Sequence, residues 1–172
     1  MKPKAIKLFA LAMTLGAFLL TSVISLGTLG LSLQRQREGA KGAAMAQKQD
    51  STSQEQATRT AIERFNEAFN RHDADALAAF LTEDTVFEDT SPAPDGRQIK
   101  GRTDVVAFWR EWFGRNPDAT FEAEEMIVSG NRAVVLWVYH KMRNGEPWHL
   151  RGVDVFTVRD GKVAAKLAYV KG

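Results

Sequence analysis

Trp-His-Leu-Arg-Gly-Val-Asp-Val-Phe-Thr-Val (148–158) is a stretch whose side chains sort into two sets by alternation. Successive residues of a strand face opposite sides, so one face carries Trp148, Leu150, Gly152, Asp154, Phe156 and Val158, and the other His149, Arg151, Val153, Val155 and Thr157. Asp154 is the only charge on the apolar face. An isolated buried carboxylate is costly, so one placed there is paired, protonated or put to use.

Working outward, the same β signals run from Thr120 to the end. A segment to Val128 is followed by the turn Ser129-Gly130-Asn131, and Arg132 to Met142 is dense in Val, Leu, Trp and Tyr. Asn144-Gly145 suits a hairpin turn, Glu146 to Val158 makes the next strand, Asp160-Gly161 turns again and Lys162 to Val170 closes. This predicts an antiparallel meander of four strands. In Ala133 to Met142 both faces are apolar, with Val134, Leu136 and Val138 on one and Val135, Trp137 and Tyr139 on the other. One face can meet helices and the other a second copy, which predicts a homodimer through the sheet.

Upstream the period is helical. Ser53 with Gln56 forms a capping-box pattern, and Ile62, Phe65 and Phe69 follow at helical spacing through Asn70. Asp73 caps a shorter helix striped by Leu77, Phe80 and Leu81, and Asn70-Arg71-His72-Asp73 makes the corner between them. Thr103 suits the cap of a third helix, whose Val105, Val106, Trp109, Trp112 and Phe113 form a wide apolar face ended by Gly114 and Pro117. Helices first and a sheet afterwards mean α+β: three N-terminal helices packed on one face of a curved antiparallel sheet.

Between the second and third helices, Thr85 to Glu88 reads as a short β segment that ends at Asp89, at the mouth of the loop Thr-Ser-Pro-Ala-Pro-Asp-Gly (90–96). A carboxylate fixed at a strand end and facing a cavity is well placed to move protons. The same residue type also bonds loop backbone in turns.

The 172 residues, 44% of them hydrophobic, fit one domain and an appendage. Cysteine is absent, which excludes disulfides, thiolate nucleophiles and Cys-ligated metals. Residues 1–50 hold seven Lys/Arg against two Asp/Glu, leaving sixteen against nineteen beyond. The basic pI therefore belongs to the N-terminal segment, and the remainder, at a net −3, has no nucleic-acid footprint. Lys2, Lys4 and Lys7 precede an uncharged run from Leu8 to Leu33, long enough to cross a bilayer. Residues 1–33 are thus expected to be a membrane anchor or export signal that leaves the domain outside the cytoplasm. Residues 34–53, polar and without an apolar period, are expected to be a flexible linker, and 54–172 the folded domain.

This order of elements, with Arg-Phe-Asn-Glu-Ala-Phe-Asn-Arg-His-Asp-Ala-Asp-Ala-Leu (64–77), Asp-Thr-Val-Phe-Glu-Asp (84–89), Gly-Arg-Thr-Asp-Val-Val-Ala-Phe-Trp (101–109) and Gly-Val-Asp-Val-Phe-Thr-Val-Arg-Asp-Gly-Lys-Val (152–163), resembles the nuclear transport factor 2-like superfamily. It is most similar to the SnoaL-like and ketosteroid isomerase-like members. The resemblance implies a cone, in which a bent sheet wraps against helices around a pocket, commonly in a dimer. It also implies a general base at Asp89 and a hydrogen-bonding acid at Asp154. The hydroxyl that such enzymes place on the first helix matches Phe65, which has none, so one oxyanion donor is missing.

The expected pocket is walled by Phe65, Trp109, Tyr139, Trp148, Leu150 and Phe156 and takes a small apolar molecule. The function expected is either cofactor-free acid/base chemistry of isomerase or cyclase type, or binding alone in a ligand-binding or assembly module. His72, His140 and His149 show no ligand spacing, so no metal is expected, and no nucleotide motif is present.

Overall fold

The computed structural model describes the backbone of residues 6–171 and the side chains of residues 30–171. By its internal contacts the chain divides into Met1–Gln49 and Asp50–Gly172. Helix α1 (Ile6–Asn70) contributes to both. Its residues 34–53 are helical and not the flexible linker that their polarity suggests. Ala, Gln, Lys, Arg and Glu are strong helix formers, and a helix with no apolar stripe needs no partner surface to keep its backbone bonds. The capping pattern at Ser53 accordingly marks no helix start. Among the described residues no helix is long and apolar enough to cross a membrane. Apart from its last few residues, the expected anchor at Leu8 to Leu33 lies outside those whose side chains are described.

The second unit contains the end of α1, then α2 (Ala74–Ala79), β1 (Leu81–Glu88), β2 (Gln98–Lys100), α3 (Arg102–Arg115), β3 (Thr120–Ser129), β4 (Arg132–Arg143), β5 (Glu146–Arg159) and β6 (Lys162–Val170). The expected meander is present as β3 to β6, but the sheet is mixed and six-stranded, in the order β2-β1-β6-β5-β4-β3. β1 pairs with β6 in parallel, and β2 pairs antiparallel with β1. The purely antiparallel expectation failed because β1 starts at Leu81, which the helical stripe had claimed, and because β2 is too short to show a period.

The corner after α1 is made by His72, at φ 55, whose Nε2 lies 2.8 Å from the Ala119 carbonyl while its ring stacks on Phe113. Asp73 caps α2 by accepting the Ala76 N–H. α3 starts after Gly101, not at a Thr103 cap: the chain leaves β2 at φ 86, a conformation glycine adopts freely.

The core lies between the helices and one face of the sheet. Ile62, Phe65 and Phe69 of α1, Leu77 of α2 and Val105, Phe108 and Trp109 of α3 pack on Phe87, Val135, Phe156, Val158 and Val163. Phe69 alone meets Trp109, Phe113 and Phe121 edge to face, at centroid distances of 4.7, 5.0 and 5.1 Å.

Edge strand β3 is covered by α1, which supplies partners for its free backbone groups. Thr58 Oγ1 donates to the Gly130 carbonyl at 2.8 Å, and Arg59 donates to the Met126 carbonyl at 3.2 Å. At the end of α1, Asn70 both donates to the Phe121 carbonyl and accepts its N–H, each at 2.8 Å. Between these anchors β3 carries an extra residue, Glu124, because Ala123 pairs with Trp137 and Glu125 with Leu136. The bulge bends β3 there. A cavity lies at this point.

Candidate functional site

This cavity, about 360 Å³ in volume, is lined by Phe65, Phe69 and Asn66 of α1, by Phe121 and Met126 of β3, and by Val135, Trp137, Asp154 and Lys166 from the next three strands. Arg59, Glu63, Glu67, Glu124 and Glu125 also line it. It has room for about a dozen water volumes, within the range of small-ligand sites. The rings come from sequence positions set for core packing. The two buried charges do not.

Asp154 is 5% exposed and Lys166 8%. Lys166 Nζ stands 2.8 Å from Asp154 Oδ2, and the rings of Phe87, Trp109 and Phe156 surround the ammonium with centroids at 5.3, 5.8 and 5.8 Å. Asp154 Oδ1 has no hydrogen-bond partner, and neither has Trp137 Nε1. Asp154, the lone charge on its face, is therefore paired by one oxygen, while the other is buried without a hydrogen-bond partner.

Lys166 escaped the sequence reading for a definite reason. In strict alternation it shares a face with Lys162 and opposes Val163, Ala165 and Leu167, which looks like a solvent position. The structure pairs Thr157 with Ala165 but Val158 with Val163, so Ala164 is an extra residue. One inserted residue reverses the faces of everything beyond it. Lys166 thus comes opposite Phe156, and faces inward with Val163. The local signal was a lysine inside an otherwise apolar strand with two consecutive alanines before it.

Asp89 lines a different cavity, of about 540 Å³, with Thr90, Ser91, Pro92, Arg97, Phe108, Trp112, Arg115 and Asn116. Its Oδ1 accepts the Thr90 N–H at 2.8 Å, and Arg97, stacked over Phe108, approaches Oδ2 at 3.9 Å. The Asp89 N–H donates to the Arg97 carbonyl, closing the loop. Gly96, at φ +75, makes that closure possible, since a Cβ there would stand 1.8 Å from the Asp89 carbonyl oxygen. The structure thus places the two expected acid/base residues in separate cavities.

Of the six expected wall residues, Phe65 lines the first cavity. Trp109 and Phe156 lie in the core and touch it through the ring cage on Lys166. Tyr139 belongs to a second cluster with Ala119 and Trp137, against which Trp148 and Leu150 pack half-buried. Burial, and next the Asp118 carboxylate, push the Tyr139 phenol above its ordinary range. Among the described residues no three His, Asp or Glu side chains gather where they could hold a metal ion.

The family described as SnoaL-like domain matches residues 62–166. A nuclear transport factor 2-like protein of unknown function from Mesorhizobium loti is 35% identical, over 69% of this chain and 94% of that one, with a TM-score of 0.61. A candidate polyketide cyclase from Xanthomonas campestris pv. campestris is 25% identical, over 69% and 93%, with a TM-score of 0.56. A candidate ketosteroid isomerase from Kribbella flavida is 23% identical, over 68% and 79%, with a TM-score of 0.55, a likeness of fold. No curated protein matches. With its helices on one face of a curved sheet and a cavity between them, the chain belongs to the SnoaL-like family of the nuclear transport factor 2-like superfamily.

Proposed function

We propose that the 360 Å³ cavity binds a small, largely apolar molecule and that Asp154 moves a proton on it without a cofactor. The observation that carries this reading is the state of the Asp154 carboxylate. Oδ2 is fixed by Lys166 at 2.8 Å, while Oδ1 is buried, unpartnered and in a residue that lines a ring-walled cavity. A base held in one orientation with a free lone pair is what proton abstraction next to a carbonyl requires. The similarity to a candidate polyketide cyclase supports chemistry of this class. Asp89, with both oxygens turned to its own loop and Arg97, is assigned to holding that loop.

Titration with small β,γ-unsaturated ketones and 1,3-diketones, followed by calorimetry, tests the site. Binding is expected in the parent and loss of it in Ala123→Trp, which grows a side chain into the cavity. Equal binding in both places the ligand elsewhere.

The outer face of the sheet supports a homodimer. Ile127, Val134, Val155 and Leu167 form one cross-strand row and Leu136, Val153 and Tyr169 the next. Ile127 is 54% and Tyr169 49% exposed and the residues between them are half-buried, so no element among the described residues covers this apolar surface. An uncovered apolar face of this kind suits a second copy.

A further inference from the structure

We propose that Lys166 Nζ is a nucleophile that condenses with a carbonyl carbon of the ligand, so that this cavity takes an aldehyde or ketone on an apolar body and holds it as an iminium ion. This rests on the reading of the cavity as the site of proton transfer and sets the class of ligand that the cavity selects.

Among the described residues Lys166 is the only buried lysine. Holding Asp154 in place does not call for one, because arginine, planar and able to give a carboxylate two parallel N–H bonds, suits a buried pair better. Lysine differs in that its single side-chain nitrogen, once it has given up a proton, carries a lone pair that can attack carbon. That step needs a base within hydrogen-bond reach, and Asp154 Oδ2 lies 2.8 Å from Nζ. Passing one proton across this gap removes two buried charges at once, each of them costly away from water. The rings of Phe87, Trp109 and Phe156, with centroids at 5.3, 5.8 and 5.8 Å, flank the nitrogen. Lys166 and Asp154 both line the 360 Å³ cavity, whose other walls include Phe65, Phe69, Phe121 and Trp137. An apolar carbonyl compound that enters this cavity therefore meets the nucleophile and its base together.

The chemistry balances within the pair. Nζ gives a proton to Asp154 Oδ2, and its lone pair forms the N–C bond as the carbonyl π pair moves to oxygen. A second proton passes from nitrogen to that oxygen, giving a carbinolamine. The C–O bond then breaks, the hydroxyl takes the proton held by Asp154 and leaves as water, and the nitrogen lone pair closes the iminium double bond. Lys166 ends with the positive charge it began with, Asp154 is a carboxylate again, and nothing is oxidised or reduced. The ring faces that surround the ammonium favour the iminium cation in the same way. An iminium draws electrons from the neighbouring carbon, so Asp154 can next take the α-proton, leaving an enamine. No enolate oxygen has to be stabilised on this route, which agrees with Phe65, a cavity residue without a hydroxyl. Esters and carboxylic acids form no iminium with an amine, so aldehydes and ketones are selected.

The test is reductive trapping on the full chain. Benzylacetone is added with cyanoborohydride, which reduces iminium ions, and the modified residues are located by peptide mass mapping, with binding of the same ketone followed by calorimetry. Label, as the mass of the ketone less one oxygen, is expected on Lys166 at least about tenfold above that on Lys162, an exposed lysine of the same strand. Ala123→Trp, which fills the cavity, is expected to remove that preference. Lys166→Arg keeps a cation beside Asp154 and is expected to bind benzylacetone, with total label reduced to that of the exposed lysines. The parent decides the matter even if a variant does not fold. If benzylacetone binds while Lys166 takes no more label than Lys162, the nucleophile is refuted and the cavity stands. If benzylacetone does not bind, both fall.

Discussion

Lys166 Nζ of β6 lies 2.8 Å from Asp154 Oδ2 of β5, and both side chains are at least nine-tenths buried, inside a ring of Phe87, Trp109 and Phe156. Two charges removed from water in this way are a poor choice for stability alone, since each loses several kcal/mol of solvation. Their place in the lining of a cavity accords with the use proposed for Asp154.

Breaking this pair from one side leaves an uncompensated buried charge. Lys166→Met should cost about 3–5 kcal/mol in urea unfolding, and adding Asp154→Leu should recover most of that. A cost below about 1 kcal/mol for the single variant would mean that water reaches the pair.

Gly152 permits the Trp137 indole to cross β5. A Cβ there would stand 2.4 Å from Trp137 Cζ2 and 2.2 Å from the Tyr169 carbonyl oxygen, which is backbone and cannot move aside. Gly152→Ala should therefore destabilise by about 1–3 kcal/mol or more, and shift Trp137 fluorescence. Unchanged emission and stability would show that the sheet yields there without resistance.

The exposed carboxylates predict the acid limb. Arg159 foremost holds Asp84 below the ordinary carboxylate range, the Met142 N–H holds Asp118 there and Arg151 holds Glu124. A group whose folded-state value is depressed adds stability that is complete above its unfolded value, near 4, and is lost as pH falls through the folded one. The urea midpoint should be level from pH 7 to about 5 and decline below, and Asp118→Asn should make that decline shallower. A variant that parallels the parent at every pH would remove Asp118 from the explanation.

The apolar outer face predicts that the chain sediments as a dimer and that Leu136→Lys, at its centre, shifts it to monomer with the cavity intact. Leu136 lies between Glu125 and Val153 in the sheet and is half-buried in the chain itself. A dimer unaffected by the charge would place the interface elsewhere.

Much of this architecture was legible in the sequence because β5 alternates, β4 is dense in β-branched and aromatic residues, and the turns between strands carry Asn-Gly and Asp-Gly. The boundaries of β3 to β6 came out within a residue or so. β1 was cut short because Leu81 continues a helical stripe, and α1 was started too late because a polar run of helix formers has no period to read. At the site, parity placed Asp154 correctly on the buried face. It could not place Lys166, whose inward turn depends on the extra residue Ala164, a pairing irregularity that alternation within one strand does not show. Nor could it separate Asp89 from Asp154, because which cavity a loop carboxylate lines is decided by tertiary packing.

The central claim is that Asp154 is the proton-moving group. It is tested most directly by deuterium uptake from heavy water at the α-carbon of small β,γ-unsaturated and 1,3-dicarbonyl compounds. Parent, Asp154→Asn and Asp89→Asn are compared, with folding checked by circular dichroism. The account predicts uptake by the parent and by Asp89→Asn, and a fall of about a hundredfold or more in Asp154→Asn. Full uptake by Asp154→Asn, or loss confined to Asp89→Asn, would contradict it, and no uptake by the parent would leave a cavity that binds without turning over.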